Sequence, residues 1–216
     1  MFFKTQYPNA KILAFEPDNS NFELLNNNIK NWDLKDIEIQ NAAIWIDNLG
    51  VNFIADGNMA SKIDESNNTA HNENQKTKSV RLKDLLTEKI DFLKIDIEGA
   101  EYEVIIDTPL EIFKKFRIMA IEFHSLDMIF NKNSFKIVEA VFDKLSNDFT
   151  VAHIHPNNSR PIINKNSIDI PELLEFTFLR NDRVNLNGEK LRFPHALDEQ
   201  CVPHRPSRHL PKCWWD

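Results

Sequence analysis

The sequence predicts an α/β fold, with a mostly parallel sheet closed by an antiparallel pair of strands. Short apolar runs alternate with segments of helical periodicity. Pro, Gly and Asn bound those runs, and 216 residues at 42% apolar content suit one full-sized core. Strands that alternate with helices lie parallel and carry ligands at their carboxyl ends.

"AKILAFEP" (10–17) is an apolar run stopped by Pro17, hence a buried strand. "DNSNFELLNNNIKNW" (18–32) offers Asp18 or Asn19 as cap and repeats Phe22, Leu25 and Ile29, which predicts a helix. "DIEIQNAAIWI" (36–46) and "VNFIA" (51–55) flank the turn "NLG" and predict a hairpin. Residues 56–78 are polar and Asn-rich, a long surface loop. "SVRLKDLLTEKI" (79–90) gives a short edge strand and a turn or two of helix, and 91–96 a buried strand.

A helix starts at the acidic corner before "GAEYEVIIDT" (99–108), with Ala100, Val104 and Asp107 along one side. "FRIMAIEFH" (116–124) is a buried strand. "NSFKIVEAVFDKLSND" (133–148) repeats Ile137, Val138, Val141, Phe142 and Leu145 as a helix does. "FTVAHIHP" (149–156) and "PELLEFTFLRND" (171–182) form the final antiparallel pair. There is no internal repeat. The domain expected is 1–182, followed by a strap over 183–216.

Composition narrows the function. A net charge of −7 argues against nucleic acid as the main partner. No run is long enough for a membrane span, and residues 1–11, "MFFKTQYPNAK", lack the pattern of a signal peptide. Two cysteines, both in the last sixteen residues, exclude a disulfide framework and fit a reducing cytoplasm. No G-x-G occurs, so no glycine-rich phosphate or dinucleotide loop is present. The sequence leaves the oligomeric state open.

The strand ends carry the chemistry. Glu16 ends the first strand, Asn41-Ala42-Ala43 the second, Asp96 to Glu98 the next, and Glu122 and His124 the one after. A carboxylate at such a place suits the vicinal diol of a ribose, or simply a solvated strand end. Lys94 inside an apolar strand needs a partner, for which Asp96 or Glu122 is placed. Asp96, Glu98 and Glu101 crowd one strand exit and repel unless a cation or a hydrogen-bonding ligand offsets them. A set of caps on the next helix is the plain alternative.

"ILAFEPDNSNFELLNNNI", "IQNAAIWIDNLGVNF", "SVRLKDLL", "IDFLKIDIEGAEYEVI" and "IMAIEFH" resemble, in order and spacing, the FkbM family of S-adenosylmethionine-dependent methyltransferases. "HIHPNN" (153–158) and "PELLEFTFLR" (171–180) resemble the closing strands of one bacterial branch. The match covers roughly residues 8–182, and D-x-x-K-I-D-x-E-G-x-E is its most specific element. The resemblance implies a Rossmann-like class I methyltransferase fold. It implies methylation of a hydroxyl on a saccharide or related small metabolite.

By that resemblance Glu16, with Pro17 beside it, holds the cofactor ribose. Asn41, Ala42 and Ala43 fall where adenine is held, and Asp96 lies between methyl donor and acceptor. Methyl transfer requires an aligned acceptor oxygen and a sink for its proton. His124 is the expected base, since histidine titrates near neutrality. Asp96 is the second choice. Glu98 and Glu101 are expected to position sugar hydroxyls or serve the helix, and Lys94 to neutralise the acids.

The family pattern opens with a strand and a "D-x-G-A-N-x-G" loop, and this chain has neither. Residues 1–11 resemble the end of the helix that follows that loop. The expectation is a methyltransferase domain lacking its first strand, with a cofactor-less binding module of the same fold as the alternative. A hydrolase using Asp96, Glu98 and His124 as metal ligands is a third reading. In the tail, Cys201, His204, His209 and Cys213 have the number of ligands for zinc, but Pro203, Pro206 and Pro211 favour an extended strap docked by Trp214 and Trp215. No metal is expected there.

Overall fold

The structure, a computed structural model, describes residues 2–54, 62–63, 76–85, 88–185 and 194–214. The fold class is α/β and Rossmann-like, as expected, with strands and helices alternating along the chain. The chain forms two compact units, 1–85 and 86–216. The strap therefore belongs to the second unit, and the 182/183 junction is not a division between units.

The first unit opens with α1 (Phe2–Gln6), in the segment read as a helix end. The buried Lys4 ammonium donates to the Pro8 and Ala10 carbonyls, which fixes the turn into β1 (Ile12–Phe15). Helix α2 (Asn19–Asn31) is capped by Asp18, whose carboxylate accepts from the Asn21 N–H at 2.9 Å. Phe22, Leu25 and Ile29 form its half-buried stripe, as the spacing predicts. β2 (Ile37–Gln40) pairs in parallel with β1, Phe15 opposite Gln40.

The predicted hairpin is not made. β3 (Ala43–Ile44) pairs in parallel with β6 (Ser79–Val80), and β4 (Phe53–Ile54) pairs with β5 (Lys62–Ile63). The turn is instead held from β6: Ser79 Oγ accepts from the Gly50 N–H and donates to the Asp47 carbonyl. The short helix α3 (Leu82–Leu85) follows. Most of the expected surface loop 56–78 lies outside the described residues; β5 falls within it.

The second unit contains β7 (Ile90–Ile95), α4 (Glu101–Asp107), α5 (Leu110–Phe113), β8 (Phe116–Phe123) and α6 (Lys132–Ser146). It continues with β9 (Phe149–Pro156), β10 (Ile162–Lys165), β11 (Ile168–Pro171) and β12 (Leu174–Arg180). The four-stranded sheet runs β7-β8-β12-β9, with β7 and β8 parallel and β12 antiparallel to both neighbours. The closing pair is antiparallel as expected, and β12 lies between β8 and β9. The β10–β11 hairpin fills the connection, turning at Asn166 and Ser167, both at positive φ.

The core under this sheet is aromatic. The Phe123 ring packs 5.0 Å from Phe142 and 5.6 Å, edge-on, from Phe176. Val138, Val141 and Leu145 bring α6 onto it, while Ile137 faces outward at 40% exposure because it lies off that stripe. The buried face of α4 is Glu101, Tyr102, Val104 and Ile105, not the expected line through Asp107. β7 is not buried on both faces either. Phe92 and the Lys94 side chain are about two-fifths exposed, since among the described residues β7 has a strand only on its β8 side.

The strap docks partly as predicted. Trp214 Nε1 donates to the Asp169 carbonyl at 3.3 Å, and its ring lies 6.4 Å from Phe176. The sequence did not reveal Asn158. Fully buried, it donates to the Val202 and Arg205 carbonyls and accepts from the Val202 N–H. Trp215 and the Cys213 side chain lie outside the described residues. Among the described residues Cys201, His204 and His209 form no ligand cluster, and no helix is long and apolar enough to cross a membrane.

Candidate active site

Each unit carries its share of the expected site residues. In the first, Glu16 and Asn41 leave the carboxyl ends of adjacent parallel strands, with the Glu16 N–H donating to the Gln40 carbonyl at 3.1 Å. Glu16 is half-buried, and Oε1 accepts from the Asp18 N–H at 2.9 Å. Burial pushes its carboxyl above the ordinary value, against the hydrogen bonds from Asp18 and Asn21. A ligand hydroxyl pair would relieve that cost. Pro17 closes the strand beside it, and the Asn41 amide donates to Asn19 Oδ1. Ala42 and Ala43 are buried, so their methyl groups belong to the core and Asn41 holds the surface position.

In the second unit β7 and β8 are parallel, so Asp96 and the pair Glu122 and His124 emerge together. Ile95 stands opposite Ile121, which sets this register. The Lys94 ammonium reaches both acids, 3.7 Å from Asp96 and 3.6 Å from Glu122. Its predicted pairing is thus met, although it is not buried.

Glu122 is 6% exposed and accepts from the Asn157 amide at 2.9 Å. Burial lifts its carboxyl to about 7, aided by the charges of Asp96 and Glu175 and opposed by Lys94 and His124. Sequence reasoning placed Glu122 at the strand end but gave it no chemical role. The missing signal was burial, which only the packing of β12 and Asn157 against β8 provides.

His124 differs most from expectation. Its Nδ1 lies 3.0 Å from Glu101 Oε1 and its Nε2 3.2 Å from Glu98 Oε2. Burial alone would lower the imidazole, but the hydrogen bonds and charges of Glu101 and Glu98 outweigh it and lift it to about 10. At neutral pH the ring is a cation without a lone pair. It cannot take a proton there, so the neutral-base role expected from a free histidine does not suit this geometry.

Glu101 anchors the clamp. Its side chain is fully buried, and the same Oε1 accepts the Ile97 N–H at 3.1 Å and the Gly99 N–H at 3.2 Å. Tyr102, on the same turn of α4, donates its hydroxyl to the His124 carbonyl at 2.9 Å, and its burial raises its pKa.

The backbone around the clamp is strained. Glu98 and Ser125 are non-glycine residues at φ 56° and 55°, and Gly99 follows Glu98 at φ 107°. Such strain collects where surrounding contacts over-determine a local shape. A Cβ at Gly99 would meet nothing within 4 Å, so its requirement is purely conformational. Gly99→Ala is therefore expected to destabilise by about 1–2 kcal/mol through strain alone. Denaturant unfolding measures this; an unchanged midpoint would show that the corner relaxes freely.

Asp96, Glu98 and His124 offer ligand atoms within 4.8 Å of one another. Both ring nitrogens of His124 already face carboxylates, so the protonated ring offsets this acidic corner itself.

No match was found among curated proteins. A solved structure, the precorrin-6Y C5,15-methyltransferase of Geobacter metallireducens GS-15, aligns with a TM-score of 0.38 at 13% identity. That alignment covers 80% of this chain and 68% of the other. The family model of the methyltransferase FkbM domain matches residues 1–150, more than two-thirds of the chain, and the chain belongs to that family of methyltransferases.

Proposed function

We propose that this methyltransferase uses S-adenosylmethionine to methylate a hydroxyl oxygen of a saccharide or related small metabolite. The observation that carries the reading is the Asp96–Lys94–Glu122 group at the ends of two parallel strands, with Glu122 poised near pH 7. Hydroxyl methylation needs such a sink, because the acceptor loses a proton as its oxygen gains a methyl group.

Part of the cofactor's expected setting fits. Glu16 is a half-buried carboxylate at a strand end, suited to the ribose diol, with Asn41 beside it. The described residues provide no glycine cradle for the methionine half. When bound, the cofactor supplies an electrophilic methyl group on a sulfonium.

The residues divide the remaining work. Asp96, about two-fifths exposed, orients the acceptor hydroxyl and accepts its hydrogen bond. Glu122, whose carboxyl burial lifts to about 7, lies on the neighbouring strand end and is the group that takes up the released proton. Lys94 keeps the two carboxylates from repelling. The Glu98–His124–Glu101 clamp holds the strand exits in place, and Glu98 is further available to position a sugar hydroxyl. The low cysteine count fits a cytoplasmic setting.

The test supplies S-adenosylmethionine with a tritiated methyl group to the chain with a panel of saccharides. Label in base-stable methyl ethers is the expected result. Label confined to base-labile esters or to nitrogen would overturn the hydroxyl assignment.

A further inference from the structure

A second cluster lies where β9 meets the strap, with His155 opposite Glu175, which itself stands opposite Glu122. His153 and His155 are two apart on β9, so both side chains project from one face of the strand. Asp198 of the strap reaches back to them. Its Oδ1 lies 2.8 Å from His153 Nε2, and its Oδ2 lies 3.6 Å from His155 Nδ1. One ligand atom from each residue lies within 4.8 Å of the other two. We propose that His153, His155 and Asp198 bind a divalent first-row transition-metal ion, which fastens the strap to β9.

Three observations support a metal site over a plain hydrogen-bonded contact. First, the chemistry suits: two imidazoles and one carboxylate are borderline donors for zinc and its neighbours. Bonds of 2.0–2.1 Å in a tetrahedral site separate ligand atoms by about 3.3 Å, and one donor atom of each residue already lies within 4.8 Å of the other two, so small side-chain shifts would complete the set. Second, polar atoms are left over. His155 Nε2 and Gln200 Oε1 are buried and have no hydrogen-bond partner among the described residues, so His155 is not satisfied by Asp198 alone. Third, there is room. His155 and Asp198 edge a cavity of about 400 Å³, also lined by His195, Gln200, Arg208 and His209. A fourth ligand or water can enter from that side.

Asp198 is already set for the task, since its Oδ2 also accepts the His195 N–H at 2.8 Å. Orientation of a ligating carboxylate by a backbone donor is typical of metal sites. Among the described residues no cysteine takes part: Cys201 is exposed and is not in the cluster.

The full chain, freed of metal and dialysed against buffered zinc, is expected to bind one equivalent. His155→Ala and Asp198→Asn should each weaken binding by roughly 100-fold or more, with Cys201→Ser and Glu98→Gln unchanged. Thermal melts should show zinc raising the wild-type midpoint and not that of the two ligand variants.

Cobalt(II) titration of the wild type gives a readout that does not depend on the variants folding. Strong visible bands without thiolate charge transfer are expected. Several outcomes would overturn the site: no bound zinc, zinc retained by His155→Ala, zinc lost with Cys201→Ser or Glu98→Gln, or a thiolate-to-cobalt band.

Discussion

Asp96→Asn is expected to slow methyl transfer by roughly 10²–10⁴-fold, the usual loss when a group that handles the reacting proton is removed. The change keeps shape and removes charge. Asp96 stands at a strand exit and is about two-fifths exposed, so the melting temperature should move little. The pH dependence separates proton handling from simple binding.

Glu122 titrates near 7 in the folded chain, so turnover should rise with pH through that value and then level. Lys94→Met removes a cation that holds the Glu122 carboxyl down, and should shift the rise to higher pH. Glu122→Gln should abolish the inflection. Rates from pH 5 to 9 with the labelled methyl donor check this. An Asp96→Asn chain of normal turnover, or a Lys94→Met profile displaced to lower pH, would contradict the division of roles.

The second large effect is on stability. Glu101→Ala is expected to cost about 3 kcal/mol, which lowers the midpoint of a chain this size by roughly 6–12 °C. One oxygen of Glu101 serves Ile97 N–H, Gly99 N–H and His124 Nδ1, and the side chain is fully buried. Its removal orphans two backbone donors and halves the pairing of a buried cation. Glu98 keeps the other half, which places the cost at the low end of the range for breaking a buried pair.

The pH dependence follows by linkage. The His124 pKa is raised in the folded chain, from an ordinary value near 6.5 to about 10. Its stabilisation is fully present below about 6.5 and is lost as pH rises through 10. Glu122 is also raised, so its burial costs stability as pH climbs from about 4.5 to 7. Wild-type melts should therefore fall on the alkaline side, and the His124 part of that fall should shrink in Glu101→Ala. A variant melting within about 2 °C of wild type would show the clamp to be weak.

Much of this was legible in the sequence. Phe22, Leu25 and Ile29 announced α2, and Val138, Val141 and Leu145 announced α6, because helical periodicity survives without tertiary information. The strand ends that hold Asp96, Glu122 and His124 followed from alternation alone. The failures have a shared cause in non-local partners. The hairpin at 36–55 was misread because Ser79, twenty-nine residues after Gly50, holds the turn. Lys94 was expected to be buried, but exposure depends on which strands flank β7. His124 was expected to titrate near neutrality, but its charge is set by Glu101, twenty-three residues away in sequence. Asn158 and the His153–His155–Asp198 cluster likewise depend on where the strap returns.

The acidic corner consists of a charged clamp, Glu98–His124–Glu101, beside Asp96 and Glu122, which Lys94 links. The most direct measurement is the titration of His124 by nitrogen-15 NMR of histidine-labelled protein, assigned with His124→Gln. The predicted result is a ring that stays doubly protonated through pH 9 and begins to lose its proton only near 10. A His124 that titrates between pH 6 and 7, with Glu122 already ionised below pH 5, would contradict the account and return the histidine to the role of base.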